Sequence, residues 1–235
     1  EMCQTAVDIR AVSPLSLILD GACGYGEPMH MHRTIGMVEA AGYEAIEIED
    51  QIFPKRAHHH IGIEHMVPME MMAAKIREAA AARRNRDFLI IGRTNAGRTD
   101  LDEALRRGEA YRNAGADVLF LALTYKPEHL QKISDRLGGP LMFITGRGGL
   151  AGTGMTLGDM GKLGFRIIAE SMSPVLAAYE AWQAIYENLA DGFGAKTLQQ
   201  PHGGPIGRGP VEESMLATIG LPKLIDIERA TLEKP

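Results

Sequence analysis

The stretch Phe88-Leu-Ile-Ile-Gly-Arg-Thr94 is followed by a helical segment that starts at Asp100 and ends at Gly115, and then by Val118-Leu-Phe-Leu-Ala-Leu123. Both flanking runs are apolar at nearly every position, which is typical of strands buried on both faces of a parallel sheet. Asp100 with Glu103 predicts a capping box at the helix start, and Gly115 predicts its end. The stretch therefore predicts a strand–helix–strand unit with parallel strands.

Similar apolar runs recur along the chain, with helical segments between them. The six predicted strands are Leu15–Asp20, Ala45–Asp50, Phe88–Thr94, Val118–Leu123, Leu141–Thr145 and Arg166–Ser171. The predicted helices are Met29–Ala41, Pro68–Arg84, Asp100–Gly115, Pro127–Leu137 and Val175–Ala190. A strand–helix repeat of about 25–40 residues indicates repeated parallel units. Two α/β architectures share this pattern, an open doubly wound sheet and a (β/α)₈ TIM-type barrel.

The positions of the polar residues favour the barrel. Polar side chains stand at the carboxyl ends of several predicted strands: Asp20, Glu49, Asp50, Arg93 and Glu170. In a barrel these ends converge on one mouth, where active sites lie. The glycine fingerprint of an open dinucleotide-binding sheet is weak, because Gly24-Tyr-Gly26 lacks the third glycine.

Composition excludes several classes of protein. The net charge of −5 and the absence of a basic stripe argue against a nucleic-acid partner. No apolar run is long enough to span a membrane, and the chain does not open with an export signal. Two cysteines, Cys3 and Cys23, cannot form a disulfide framework. We therefore expect a cytoplasmic protein whose partners are small molecules and copies of itself.

Five motifs occur in a fixed order in the first half of the chain. They are Asp20-Gly-Ala-Cys-Gly-Tyr-Gly26, His32-Arg-Thr34, Ile48-Glu-Asp-Gln51, Pro54-Lys-Arg56 and Ile91-Gly-Arg-Thr-Asn-Ala96. Their order and spacing resemble the isocitrate lyase/phosphoenolpyruvate mutase superfamily, and the similarity runs from residue 1 to about residue 190. This superfamily includes 2-methylisocitrate lyase, dimethylmalate lyase, oxaloacetate decarboxylase, phosphonopyruvate hydrolase and the phosphonate-forming mutases.

The resemblance implies a (β/α)₈ barrel, a Mg²⁺ or Mn²⁺ ion at its mouth, a small dicarboxylate or oxo acid held there as an enolate, and a homotetramer. The first two strand–helix units of such a barrel have no counterpart here, so we expect an N-terminal segment that precedes residue 1. Residues 1–235 are predicted to form a single barrel domain. Within it, residues 203–235 would be a C-terminal helical extension at a subunit interface, with Gly203–Gly209 as a connector and two short helices in Pro210–Lys234.

The resemblance also implies roles for individual residues. Asp20 and Glu49 would be carboxylates of the metal shell, and Tyr25 and Gly26 would contact the substrate. Arg93 would pair with a substrate carboxylate or enolate oxygen, a bidentate task that suits a guanidinium group. The residues that match the mobile, catalytic gating loop are Lys55, Arg56 and His59.

Four positions depart from the superfamily pattern. Ala22 replaces a second metal-shell carboxylate, which would weaken Mg²⁺ binding without abolishing it. Ala57 replaces the cysteine that serves the lyases as a general acid or base, a loss typically worth about 10²–10⁴ in rate. Ala122 replaces a glutamate. Arg147 stands where an acid is usual, and it is a candidate substrate-binding residue because it adds positive charge where a phosphoryl group would lie.

Three functions are compatible with this sequence. The first is a diverged lyase or decarboxylase that acts on a small 2-oxo or 2-hydroxy diacid through a metal-stabilised enolate. The second is a non-catalytic metabolite-binding or assembly module on the same barrel, and the third is a phosphonate mutase or hydrolase. The run His58-His59-His60 is open to two readings, a solvated loop or a site for Zn²⁺, Mn²⁺ or Fe²⁺.

Overall fold

All six predicted strands are present in the computed structural model, which describes residues 1–122, 124–146, 149–190 and 210–231. The strands are β1 (Ile18–Asp20), β2 (Ala45–Glu49), β3 (Leu89–Thr94), β4 (Val118–Leu121), β5 (Leu141–Ile144) and β6 (Phe165–Ala169). They form one parallel sheet in chain order, from β1 at one edge to β6 at the other. The sheet curls into a half-barrel, so the α/β barrel-type fold predicted from the sequence is confirmed.

The strands are mostly shorter than predicted, because several residues at the ends of the apolar runs lie outside the regular ladder. Leu15, for example, is 72% exposed and precedes β1. The described residues fall into two compact units, Glu1–Ser171 and Met172–Pro235. Helices of the first unit are α1 (Met2–Arg10), α2 (Met31–Ala40), α3 (Met69–Ala82), α4 (Leu101–Ala114), α5 (Pro127–Leu137) and α6 (Leu157–Lys162).

The helix that defines the first strand–helix–strand unit is α4. The Asp100 side chain accepts a hydrogen bond from the Glu103 backbone amide at 3.0 Å, as its position before the helix predicts. The expected return contact of a capping box is replaced, because the Glu103 carboxylate pairs with Arg106 and Arg107 instead. The helix ends at Gly115, whose φ of 113° lies in the left-handed region.

Both faces of the sheet are apolar, which explains the continuous apolar runs. One face packs against the helices through a large buried cluster that includes Leu19, Ile46 and Ile90. The opposite, inner face carries a smaller cluster, made by Ala45, Ile91, Val118, Phe120, Ala122 and Met142. Side chains alternate between faces along a strand, so the residues two positions beyond Ala45 and Ile91 continue this inner face toward the carboxyl ends.

The second unit contains α7 (Ser173–Ala190), α8 (Pro210–Thr218) and α9 (Leu221–Thr231). Helices α8 and α9 occupy the segment predicted to hold two short helices, whereas the predicted connector Gly203–Gly209 lies outside the described residues. The single domain over 1–235 and the role of 203–235 at a subunit interface stay predictions. None of the described helices is long and apolar enough to cross a bilayer.

Candidate active site at the carboxyl ends of the strands

Asp20, the last residue of β1, and the loop that follows it lie beside the end of β2. Asp20 is in register with Glu47, and the Gly21 amide donates a hydrogen bond to the Glu47 carbonyl oxygen at 2.9 Å. The Glu49 amide then donates to the Ala22 carbonyl oxygen at 2.7 Å. A Cβ atom at position 21 would lie 2.7 Å from the Glu47 carbonyl oxygen, so only glycine permits this approach. The Asp20 carboxylate is held by the Ala22 amide at 2.9 Å.

Arg93, at the end of β3, joins the glutamates of β2. Its Nη1 donates to Glu47 Oε1 at 2.6 Å, and its Nε lies 3.3 Å from Glu49 Oε2. Asn95 Oδ1 accepts from Nε at 3.3 Å and from Nη2 at 3.1 Å. The guanidinium carbon lies 5.0 Å from the centre of the Phe120 ring, a cation–π distance. Arg93 is therefore held on several sides by protein groups.

Glu49 is fully buried and takes part in three interactions. Asn95 Nδ2 donates to its Oε2 at 2.8 Å, and Lys55 Nζ lies 2.5 Å from its Oε1. The Lys55 ammonium group therefore neutralises Glu49 Oε1 in this structure, and another cation could reach this oxygen only if Lys55 moved away.

Burial and the neighbouring charges shift the pKa values of Glu47, Glu49 and Arg93 in opposite directions. Burial raises the pKa of Glu47 by more than the Arg93 charge lowers it. Burial also acts to raise the pKa of Glu49, but the Arg93 charge and the contacts with Lys55 and Asn95 outweigh it, and the pKa is lowered. The pKa of Arg93 is raised because the charges of Glu47 and Glu49 exceed the effect of its own burial.

Asp50, next along the chain from Glu49, faces away from this cluster. Its Oδ2 accepts hydrogen bonds from Arg107 Nη1 at 3.0 Å and from the Tyr111 hydroxyl at 2.8 Å. Its Oδ1 accepts from the Asn95 backbone amide at 3.1 Å. Asp50 is thus a buried anchor between β2 and α4, and it supports the site by fixing the backbone of the turn that carries Asn95.

The three residues of the predicted gating loop point to different places. Lys55 reaches Glu49, as described above. His59, in a 3₁₀ helix over Ala57–Ile61, places its Nδ1 2.8 Å from Gln51 Nε2 and 2.9 Å from both carboxylate oxygens of Glu64. Arg56 is exposed at the start of that 3₁₀ helix. Of the three, Lys55 is the side chain that contacts the carboxylate cluster in this structure.

Tyr25 and Gly26 line a cavity of about 500 Å³ together with Cys23, Gln51 and Lys75. Tyr25 is 53% exposed and has a φ of 60°, in the left-handed region that few side chains adopt. Lys75 Nζ donates to the Cys23 carbonyl oxygen at 3.0 Å and so ties this loop to α3. Burial lowers the pKa of Lys75. Lys75 therefore holds the backbone of this loop against α3, while the exposed side chain of Tyr25 is accessible to a ligand.

The remaining sequence positions lie further away or outside the described residues. Glu170 follows β6, the strand at the opposite edge of the sheet from β1, and accepts a hydrogen bond from the Thr145 hydroxyl. The prediction that it shares a cavity with Asp20 stays a prediction. Arg147 lies outside the described residues, so its predicted substrate contact is not described. Ala122 is buried in the inner apolar cluster.

Sequence reasoning missed Glu47 and Asn95, which make most of the contacts to Arg93. The signal for Glu47 was present in Ala45-Ile-Glu-Ile-Glu49, since two acids at alternate positions of a buried strand must share one face. Asn95 follows Arg93 by two residues, so the same alternation carries it toward the same side. An acid inside an apolar strand requires a partner, and that requirement was the overlooked clue.

A divalent cation fits this site. Asp20, Glu47 and Glu49 face the cationic side chains Arg93 and Lys55, which leaves one negative charge in excess. Mg²⁺ and Mn²⁺ prefer such oxygen ligands, and Mg²⁺ is commonly held by one or two carboxylates together with water and substrate. The described residues contain no group of three or more His, Cys, Asp or Glu arranged as a metal cage. Asp20 and Glu49 supply carboxylate oxygens of the kind that such an ion prefers, and Lys55 occupies Oε1 of Glu49 in this structure.

Comparisons with known proteins agree with the fold. Residues 1–190 match the family described as phosphoenolpyruvate phosphomutase. The 2,3-dimethylmalate lyase of Eubacterium barkeri is 33% identical over 188 residues, which make up 80% of this chain and 63% of the lyase. The oxaloacetate decarboxylase of Pseudomonas putida (strain GB-1) is 32% identical over 183 residues, 77% of this chain and 61% of the decarboxylase.

A solved structure of phosphonopyruvate hydrolase in complex with oxalate and Mg²⁺ superposes with a TM-score of 0.76 at 25% identity, covering 99% of this chain and 78% of the hydrolase chain. The chain spans less than two thirds of the length of either curated relative named above. The family match covers all six strands of the half-barrel, including the strand ends that carry Asp20, Glu49 and Arg93. The chain therefore belongs to the phosphoenolpyruvate phosphomutase family, within the isocitrate lyase/phosphoenolpyruvate mutase superfamily.

Proposed function

We propose that this chain carries the active site of a lyase or decarboxylase that breaks a carbon–carbon bond in a small 2-oxo or 2-hydroxy diacid. The observation that carries the proposal is the convergence of Asp20, Glu49 and Arg93 at the carboxyl ends of three neighbouring strands. Relatives that are a dimethylmalate lyase and an oxaloacetate decarboxylase support this class of substrate.

Each residue of the cluster has a chemical task in this proposal. A Mg²⁺ or Mn²⁺ ion, when bound, would supply Lewis-acid stabilisation of negative charge on the substrate oxygens. Asp20 and Glu49 would hold that ion. Lys55 would move away from Glu49 to make room for the ion. Arg93 would exchange its contact with Glu47 for a substrate carboxylate or the oxygen on which charge develops. Phe120 beneath the guanidinium keeps the group oriented during the exchange.

Decarboxylation of an oxo diacid is the reaction that this site supports best. When CO₂ leaves, the electron pair of the broken bond is delocalised onto the neighbouring oxo group, and Arg93 would stabilise that charge. Cleavage of isocitrate-type substrates also needs a proton relay, which the superfamily thiol supplies. Ala57 stands at that position and Cys23 is buried, so neither offers an exposed thiol there. We expect little or no cleavage of isocitrate or 2-methylisocitrate.

The test of the site is calorimetry with oxalate, a mimic of a small enolate, in the presence of Mg²⁺ or Mn²⁺. Wild type should bind oxalate only with a divalent ion, and Arg93→Ala should abolish binding. Arg136→Ala is the matched control, because Arg136 makes an exposed ion pair with Glu109 at 2.7 Å. Failure of oxalate to bind with either ion would remove the basis of the enzyme proposal.

The test of the reaction is release of CO₂ and pyruvate from oxaloacetate. Divalent ions decarboxylate oxaloacetate slowly by themselves, so the rate is taken as the difference between native and heat-denatured protein at equal ion concentration. A native rate that Arg93→Ala abolishes and Arg136→Ala retains would support the proposal. Oxalate binding without turnover would favour a metabolite-binding module, which is the reading suggested by Ala22 and by the Glu47–Arg93 ion pair.

The oligomeric state and the cellular location are also proposals. A homotetramer is proposed from the superfamily resemblance, and a monomeric mass in solution at micromolar concentration would contradict it. A cytoplasmic location is proposed because Cys3 and Cys23 are both free thiols. The phosphonate alternative depends on Arg147, and Arg147→Ala with a phosphonopyruvate assay is its test.

A further inference from the structure

Two histidine side chains on the loop after β2 lie head to head, away from the carboxylate cluster. His58 Nδ1 is 3.3 Å from His65 Nε2, the ring centres are 5.6 Å apart and the ring planes are inclined by 34°. In the metal-free protein one of these nitrogens donates a hydrogen to the other. Neither nitrogen is part of the Glu49–Arg93 network described above.

The backbone brings the two rings together by folding the loop onto itself. The Ile63 amide donates to the His58 carbonyl oxygen at 3.1 Å, and the Ile52 amide donates to the His65 carbonyl oxygen at 2.9 Å. Beyond His65, the chain makes an isolated antiparallel bridge between Gln51 and Met66. His58 therefore lies on the outgoing part of the loop and His65 on the returning part, with their spacing set by hydrogen bonds.

The distance between the two nitrogens matches the distance between two histidine nitrogens bound to one metal ion. Zn–N(His) bonds are about 2.0–2.1 Å, and a tetrahedral angle between two of them places the nitrogens about 3.3–3.4 Å apart. We propose that His58 and His65 form a two-histidine site for Zn²⁺ or a similar borderline cation such as Cu²⁺. Water would complete the coordination, and a small rotation of the exposed His58 ring would direct both lone pairs at the ion.

The site would differ chemically from the mouth of the barrel. Imidazole nitrogens favour Zn²⁺ and Cu²⁺, whereas the carboxylates of Asp20 and Glu49 favour Mg²⁺ and Mn²⁺. His59, between the two ligands in sequence, is engaged elsewhere by Gln51 and Glu64. A millimolar excess of Mg²⁺ would therefore occupy the oxygen site and leave the histidine pair accessible to micromolar Zn²⁺.

An ion bound by both histidines would connect the outgoing and returning parts of the loop. An ion that joins His58 to His65 links both ends of the segment that carries His59, close to Lys55, which contacts Glu49 at 2.5 Å. The proposed site would then hold this loop in the conformation seen here. Because metal binding to the folded state adds stability by mass action, the melting temperature should rise with Zn²⁺ concentration.

The experiment is titration of the tag-free protein with Zn²⁺ in excess Mg²⁺, with binding followed by calorimetry. We expect one ion per chain in wild type, and at least a tenfold weaker affinity in both His58→Ala and His65→Ala. His32→Ala is the matched control, since His32 is exposed and pairs with Glu78 at 2.8 Å. This control should bind Zn²⁺ as wild type does.

A second readout identifies the ligands directly. Cu²⁺ bound to the protein should give an electron paramagnetic resonance spectrum with two nitrogen ligands, and each single variant should lose one of them. Circular dichroism of both variants should match wild type because the changes are at accessible side chains. Unchanged Zn²⁺ affinity in His58→Ala and His65→Ala, or an equal loss in His32→Ala, would overturn the proposal. Neither result would bear on the oxalate site.

Discussion

Replacing Asp50 by alanine should destabilise the first unit while leaving the carboxylate cluster chemically complete. Asp50 is fully buried, and its carboxylate accepts hydrogen bonds from Arg107 at 3.0 Å, Tyr111 at 2.8 Å and the Asn95 amide at 3.1 Å. Removal of one partner from a buried ion pair costs about 3–5 kcal/mol. Glu103 still pairs with Arg107 Nε at 2.8 Å, so we expect the lower end, about 3 kcal/mol.

The measurement is the free energy of unfolding in urea, followed by far-ultraviolet circular dichroism. Tryptophan fluorescence is unsuitable, because the single tryptophan, Trp182, lies in the second unit. In thermal melts the same loss corresponds to a transition about 6–12 °C lower, for a unit of this size. Asp102→Ala is the control: Asp102 pairs with Lys132 at 2.7 Å on the surface, and exposed pairs contribute little, so its unfolding should match wild type.

The neighbouring carboxylate provides the contrasting variant. Glu49→Gln should abolish oxalate binding and change the free energy of unfolding by less than Asp50→Ala does. We therefore expect the Asp50 substitution to affect mainly stability and the Glu49 substitution to affect mainly ligand binding. If Asp50→Ala unfolds within about 1 kcal/mol of wild type, or if it loses oxalate binding without losing stability, the assignment of Asp50 as an anchor is wrong.

Three further predictions concern other parts of the structure. The pKa of Glu103 is lowered, first by its hydrogen bond from Arg107. The ionised carboxylate therefore stabilises the fold at pH values above its usual pKa of 4.5, and this contribution is lost as the pH falls through the folded-state pKa. Glu103→Gln should flatten the acid limb of a stability–pH curve measured by urea unfolding. Gly21→Ala should lower the free energy of unfolding by about 1–3 kcal/mol, because its Cβ would meet a backbone oxygen at 2.7 Å, and a melt unchanged from wild type would contradict this geometry. Ala57→Cys should raise cleavage of 2-methylisocitrate above the wild-type rate in a coupled assay, whereas wild-type turnover near 1–10³ per second, roughly the ordinary enzyme range, would show that no thiol is needed.

The fold was readable from the sequence because its main determinants are local. Continuous apolar runs require strands covered on both faces, and the residues that end the helices, such as Gly115, need only their own backbone conformation. The observed chain-order arrangement of the six strands is the one that a parallel barrel requires. Helix α5 was predicted with the bounds that the structure has, since Pro127 and Gly138 mark its two ends.

The candidate site was readable only in part. The ends of parallel strands meet at one edge, so Asp20, Glu49 and Arg93 could be grouped without coordinates. Their exact partners could not be predicted in this way. Asp50 follows the inward-facing Glu49, so strand alternation directs it toward the helices, but only the packed structure shows that its partners there are Arg107 and Tyr111 of α4.

What the sequence determined by itself is therefore the parallel α/β framework, the family and the edge of the sheet where chemistry would occur. What the tertiary structure decided is which charges meet: Glu47 with Arg93, Lys55 with Glu49, and His58 with His65. The reason is physical. A backbone preference is fixed by neighbours in the chain, whereas the partner of a buried or clustered polar group depends on which groups the packed backbone brings within about 3 Å of it.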